Sequence, residues 1–249
     1  MKGSEILIIR VSIVLVVVAI WEGISHSGLF YDEVFPSIVE ILSELIVLLS
    51  DADFYRHIFV TLFEIILGLT LAIVFGGISG VLIGSSTSIY RGMDPILVAL
   101  ATTPKIIFFP IIMLLVGIGI ESKVAMGALS AYFPISLSTA AGIRSVPQVF
   151  IDSGKSFHLT KIQLIRFIYL PAVFPELLTG VRLGLGVCII GVLLAEIKIS
   201  NQGLGFIAIE YYNLFNVPAL YASLLVIFGI AISINVLIDY LLSKSVINR

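Results

Sequence analysis

The residues able to do chemistry are few and scattered. His26, His57 and His158 stand far apart, and no HExxH, GxSxG or GxxxxGK[ST] arrangement occurs. Neither a zinc or serine hydrolase site nor a phosphate-cradling loop is therefore encoded, and no metal site is implied. The single Cys188 lies in an apolar run, supports no disulfide framework and reads as a small packing residue. Glu64 is set in apolar sequence, where an unpaired carboxylate would cost roughly 2.5–3.5 kcal/mol at the centre of a bilayer, so it must face a bundle, a cavity or an interface. Glu196 precedes Asn201, Gln202, Gly203 and Gly205, a run with turn chemistry. Glu196 and Asn201 read either as an interfacial cap and turn or, with Glu64, as an outer gate or partner contact. Thr102, Thr103, Met113, Ser130, Tyr132, Ser136 and Ser138 place polar or polarisable groups inside apolar segments. They can line a polar path between helices, or serve only packing and backbone bonding.

The stretch Asp152 to Pro175, DSGKSFHLTKIQLIRFIYLPAVFP, is polar, basic and helix-patterned, and it interrupts the apolar sequence. Pro147 suits the first position of a helix, after which Val149, Phe150, Gly154 and Phe157 repeat at helical spacing while Asp152, Lys155 and Ser156 are more polar. A second helix is expected over Thr160 to Tyr169, with Ile162, Ile165 and Tyr169 on one face and Gln163 and Arg166 on another. Pro171 and Pro175 are expected to end it and launch the next segment. Two short, basic, proline-bounded helices make a rigid knob. On the residues alone it is either a docking handle or an interfacial hairpin resting on anionic lipid headgroups.

The elements that must position these groups are membrane spans. The chain is 59% hydrophobic and only 12% charged, with a mean hydropathy of +1.17, whereas soluble domains carry about a quarter charged residues. Its 249 residues accommodate about six spans of ~20 residues. The apolar segments are Ile6 to Ile24, Phe54 to Ile83, Ile96 to Ile118, Val124 to Ile143, Leu177 to Ile197 and Ala219 to Leu242. Their lengths suit helices, not barrel strands, which predicts an all-α polytopic bundle. The first follows Lys2 but no small-residue cleavage site follows it, so it reads as a retained span. Gly76, Gly80 and Gly84 form a stripe that permits close helix approach. Pro104 and Pro110 break the third segment, with a lead-in helix from Pro95 to Thr103, and Pro134 kinks the fourth. Between the first two spans, Ile38, Ile41, Leu42, Leu45, Leu48 and Leu49 predict an amphipathic helix, with Glu40 and Glu44 on another face.

Charge placement gives the orientation. With the N-terminus inside, Lys2, Arg91, Arg144, Lys155, Lys161, Arg166, Lys244 and Arg249 are cytoplasmic, and Arg10, Lys105 and Arg182 lie near that face. Arg56, Lys123 and Lys198 fall outside, beside an acidic loop containing Asp32, Glu33, Glu40, Glu44, Asp51 and Asp53. Both termini are then cytoplasmic. The expected organisation is a first span plus external amphipathic helix over 1–53, and a core over 54–249 with the handle at about 145–175. The net charge of −2 gives no reason to expect a nucleic-acid partner.

The handle resembles the cytoplasmic loop of the permease subunits of ABC importers, the binding-protein-dependent transport family. Its pattern is EAA, three residues, Gly, then an Ile or Leu and a Pro. Asp152, Ser153 and Gly154 match EAA, Leu170-Pro171 matches the end, and His158 replaces the glycine. Asp94-Pro95, Pro104, Pro110, Gly117-Ile118-Gly119, Phe133-Pro134, Gly142 to Pro147, Leu170-Pro171-Ala172, Gly180 to Gly184 and Ala195-Glu196 are similar to the nitrate, sulfonate and taurine branch, in collinear order from Phe54 onward.

The resemblance implies a non-catalytic permease in the plasma (inner) membrane of a bacterium or archaeon. It would work as a homodimer with two ATPase subunits beneath and an external solute-binding protein above. ATP and Mg would be bound by the ATPase, with no cofactor on this chain. Asp152, Ser153, Gly154, Lys155, Phe157, His158 and Pro171 would form the ATPase coupling site. The solute would be small and polar or anionic, of the sulfonate, taurine or nitrate kind, or else a vitamin or pyrimidine precursor. The path would run along the dimer axis between the third, fourth and fifth spans. Related subunits often carry a basic residue near the position of Glu64. His158 leaves two outcomes open, a reshaped turn or a histidine that caps or contacts the ATPase, because histidine adopts the left-handed conformation only occasionally. The rival classes fit less well: a membrane enzyme needs clustered catalytic groups, and a channel needs a selectivity loop or charged ring.

Overall fold

A computed structural model describes residues 3–29 and 34–247; Lys2, Asp32, Glu33 and Arg249, used above for orientation, lie outside them. Among the described residues every regular element is helical: α1 (Gly3–Ser25), α2 (Ile38–Ser50), α3 (Ala52–Gly84), α4 (Thr87–Thr102), α5 (Phe109–Val116), α6 (Ile120–Arg144), α7 (Gln148–Ser156), α8 (Lys161–Leu164), α9 (Leu170–Lys198), α10 (Leu204–Asn213) and α11 (Val217–Ile247). A 3₁₀ turn, Lys105–Phe108, joins α4 to α5, and a π-helical turn, Ile165–Tyr169, joins α8 to α9. Among the described residues five helices are long and apolar enough to cross a membrane, and α4 with α5, bent by 90° at their break, makes a sixth if the pair counts as one span. All six apolar segments expected from the sequence are helical.

The core is a three-helix stack with α6 in the middle, and small residues set its tightness. A Cβ added at Gly80 of α3 would lie 2.5 Å from Thr139 Cβ and 2.7 Å from the Ser136 carbonyl, and one at Gly84 would lie 2.7 Å from the Ala140 carbonyl. The glycine stripe thus serves the α3–α6 seam. On the other side, Gly180, Gly184 and Gly191 bring α9 against Ile135 and Met126 of α6. Ile65, Ala72, Ala131, Ile135, Leu185, Val192 and the fully buried Cys188 fill the space between. Close backbone approach of this kind is what drives association where lipid removes the hydrophobic contrast.

The remaining helices wrap the stack. Ser37 and Glu40 cap α2 reciprocally, at 3.2 and 2.8 Å, so Glu40 closes the helix start as well as lying off its apolar face. Ile41 and Leu48 of α2 are buried with Phe54, Leu204, Ile207 and Ala222. α1 is fastened at its C-terminal end: Trp21 donates to the Pro36 carbonyl at 3.1 Å and stacks on Phe35, and Glu22 accepts from the Ile38 amide at 3.0 Å. The rest of α1 exposes an apolar surface, as a lipid-facing helix should.

Two expectations are corrected. The lead-in helix does not begin at Pro95 but at Thr87, started by the Ser86 side chain; Pro95 sits inside it and the 90° break falls after Thr102. Nor do Pro171 and Pro175 end a helix, because the chain is helical without a break from Ile162 to Lys198. The physical reason is the π turn at Ile165–Tyr169: it resets the hydrogen-bond register so that Pro171 falls in the first turn of α9, where an N–H is dispensable. Pro175 is carried inside the helix by the packing of α9 on α6.

Successive crossings define two ends of the bundle. α7 and the C-terminal ends of α3 and α6 occupy one, and α10, the starts of α3 and α6 and the end of α9 occupy the other.

Candidate functional site

At the α7 end the handle is a short helix between Pro147 and Phe157. Asp152 accepts from Gln148 Nε2 at 3.0 Å and Lys155 Nζ at 3.3 Å, and these neighbours hold its exposed carboxyl below the usual range. Ser153 is exposed and bonds back to the Val149 carbonyl at 2.8 Å. Gly154 is the buried member: a Cβ there would meet Ile168 Cδ1 at 2.5 Å and Leu159 Cδ1 at 3.4 Å. It therefore seats α7 on the π turn instead of facing outward with its neighbours. Val149, Phe150 and Phe157, read from periodicity as companions of Gly154, are exposed, Phe157 by 81%. The handle thus shows an exposed apolar outer face with Asp152 and Lys155 beside it.

His158 keeps the left-handed turn, with φ of 56°. Its amide bonds to the Lys155 carbonyl at 2.9 Å and the Leu159 amide reaches the Gly154 carbonyl at 3.0 Å. This pair of bonds is a Schellman cap, which normally takes glycine at that position. The turn is not reshaped; histidine accepts the strain. Phe215, with φ of 55°, does the same after α10, where the Phe215 and Asn216 amides bond to Tyr212 and Tyr211.

A cavity of about 550 Å³ opens where α4 breaks from the 3₁₀ turn, walled by α6 and α9. Thr102, Thr103, Ser130 and Ser138 line it, with Leu137, Leu183, Val187 and Ile190 supplying apolar walls. Thr103 and Ser130 donate to the carbonyls of Ala99 and Met126, at 2.9 and 2.8 Å. Their protons are committed, so they can offer only lone pairs to the cavity. The structure adds Lys105, which lines the cavity, donates to the Ala101 carbonyl and stands 5.3 Å from the Phe133 ring centre. Sequence reasoning gave Lys105 only an orientation role; its position directly after Pro104, at a break in a span, was the available signal. Met113, Tyr132 and Ser136 do not join the others. Met113 packs with Phe109, Met126 and Ala195, Tyr132 lies beside Leu71 and Phe75, and Ser136 is buried, 3.0 Å from Ser79 in the α3–α6 seam. On α6, residues 132 and 136 are each two positions from a cavity residue, about 200° around the helix.

At the opposite end Glu64 and Glu196, 132 residues apart, form one buried cluster with no exposed area. Three consecutive amides at the start of α10 are captured by side chains: Gly203 by His57 Nδ1 at 3.0 Å, Leu204 by Thr61 Oγ1 at 2.8 Å and Gly205 by Glu196 Oε2 at 2.6 Å. The Thr61 hydroxyl donates in turn to Glu196 Oε1 at 2.6 Å. Lys123, also buried, stands 3.8 Å from Glu64 Oε1. The turn expected at Asn201–Gly205 is present, with Gly203 at φ of 106°, yet Glu196 is a core residue instead of an interfacial one, and Asn201 is exposed. α10 itself went unforeseen.

The family described as "Binding-protein-dependent transport system inner membrane component" matches residues 59–244. A probable ABC transporter permease protein of Haemophilus influenzae is 33% identical over 93% of this chain and 94% of its own length. The formylaminopyrimidine transport permease ThiX of Halalkalibacterium halodurans is 33% identical over 86% and 84%, and the taurine transport permease TauC of Escherichia coli is 31% identical over 77% and 71%. Among solved structures, the inward-facing MetNI methionine ABC transporter superposes with a TM-score of 0.69 at 20% identity, over 76% of this chain and 94% of the matched one. The handle, the six spans and these matches agree: the chain belongs to the binding-protein-dependent transport inner membrane components, as a multi-pass ABC transporter permease on the branch that holds the taurine permease.

Proposed function

We propose that the chain is the translocation subunit of an ATP-driven importer, receiving a small anionic solute from an external binding protein and releasing it to the cytoplasm by alternating access. Two copies would assemble about the cavity-bearing faces, each with its α7 seated in an ATPase subunit that binds ATP and Mg. The α7 end is then cytoplasmic, in keeping with Arg91, Arg144, Lys155 and Arg166 there, and both termini with it, in the plasma membrane of a bacterium or archaeon. The 1–53 segment would form an outer buttress and 54–249 the moving core.

The observation that carries this reading is Gly154. It packs the handle directly on the helix that also walls the cavity, so displacement of α7 by its partner moves the cavity wall. The test is Gly154→Leu in the complex reconstituted with its ATPase and binding protein. The expected result is an assembled bundle whose ATP hydrolysis no longer responds to solute. Substrate-stimulated hydrolysis at the native level would reject the coupling role.

Lys105 in the cavity wall favours a sulfonate-like anion, and the similarity to the taurine permease supports it. A pyrimidine-type solute is the second reading, favoured by the apolar walls and the similarity to ThiX. Uptake of each with the cognate binding protein separates them, and Lys105→Ala should depress only anion uptake.

A further inference from the structure

The cluster at the α10 end is short of one positive charge. Its ionisable members are Glu64 and His57 on α3, Lys123 on α6 and Glu196 on α9, with the N-terminus of α10 facing them. His57 accepts the Gly203 amide through Nδ1, which makes its ring neutral with the proton on Nε2. Among the described residues Lys123 is the one side-chain cation in the cluster. Both Glu196 oxygens already accept short hydrogen bonds, from Thr61 and Gly205, and the helix N-terminus favours an anion there. Glu64 is different: neither of its oxygens has a hydrogen-bond partner although the side chain is fully buried. A buried carboxylate without donors, beside a second carboxylate, leaves one charge uncompensated.

We propose that Glu64 and Glu196 together form a binding site for a single proton, held on Glu64 and directed toward Glu196. One added proton makes two carboxyls, one ammonium and no net charge, and gives Glu64 the hydrogen bond it lacks. A sodium ion suits the site poorly. It needs several oxygens, and the Lys123 ammonium already stands 3.8 Å from Glu64, one of the two carboxyls that would have to hold it. The proton has a structural consequence. Glu196 holds the start of α10, so loss of the proton places an unbalanced charge beneath the Ser200–Gly205 turn and loosens its seat. Loss of that proton as pH rises should therefore lower stability, by up to about tenfold in the folded-to-unfolded ratio per pH unit.

The test uses the full chain in detergent or nanodiscs and does not depend on transport. Infrared spectra at neutral pH should show a protonated-carboxyl C=O band that shifts in D₂O, disappears on alkaline titration and is missing from Glu64→Gln. The melting temperature of the wild type should decline from about pH 6 to pH 9, and Glu64→Gln, which mimics the protonated acid, should lose that decline while keeping Lys123. Absence of the band overturns the proposal, as does an unchanged pH slope in Glu64→Gln, which would assign the titration to Lys123. Stabilisation by sodium over choline at equal ionic strength, without the band, would overturn it in favour of a metal cation. If Glu64→Gln fails to fold, the wild-type infrared titration decides alone.

Discussion

Replacing His158 by glycine should strengthen the handle. The left-handed conformation costs a residue with a Cβ roughly 1–2 kcal/mol, and His158 pays it at φ of 56°. Glycine removes that strain but gives up about 0.5–1 kcal/mol through the greater freedom of its unfolded chain. The balance favours His158→Gly by about 0.5–1 kcal/mol, equivalent to a ~2- to 5-fold change in local opening. Both cap bonds, from the His158 and Leu159 amides to Lys155 and Gly154, should break less often by that factor. Hydrogen–deuterium exchange of peptides covering Gly154 to Leu164 reads it directly. His158→Ala separates backbone from side chain, since alanine keeps the Cβ and should bring no protection. Unchanged or faster exchange in His158→Gly would refute the strained-cap argument and leave the imidazole as what holds the turn.

Two further substitutions probe the frame. Thr61→Val keeps shape but removes the hydroxyl that donates to Glu196 and receives the Leu204 amide; it should cost about 2 kcal/mol or more, since a buried amide is left bare, and appear as a lowered melting temperature. Gly80→Ala should cost about 1–3 kcal/mol, because its methyl meets Thr139 and the Ser136 carbonyl, whereas Gly186→Ala, with nothing within 4 Å of the added carbon, should be neutral or stabilising in the same melt.

The spans were legible because apolar runs of the required length have few other uses, and the handle because Asp152, Lys155 and Arg166 interrupt them. α4 was cut short in the reading because Thr87 to Asp94 is polar, though Ser86 offered a start signal. α10 was missed because Gly203-Leu204-Gly205 is turn chemistry, and the side chains that convert it into a helix start come from α3 and α9. Pro171 and Pro175 were read by their local rule, which the π turn suspends. The Glu64–Glu196 cluster had no signal in spacing: Thr61 and Glu196 are 135 residues apart, and only the close packing of α3, α6 and α9 makes them neighbours. Periodicity likewise identified a stripe on α7 but not which side of it is covered.

The unbroken helix from Ile162 to Lys198 is 37 residues, about 55 Å at 1.5 Å per residue. It carries Ile168 against Gly154 near one end and Glu196 beneath α10 at the other. If, as proposed, the ATPase seats on α7 and a ligand binds at the α10 end, any coupling carried along this rod is reciprocal: the factor by which that ligand changes the ATPase's affinity for the handle equals the factor by which the ATPase changes the ligand's affinity. Measuring that ligand's affinity with and without the ATPase, and the ATPase's affinity with and without the ligand, closes a thermodynamic cycle whose two sides must agree.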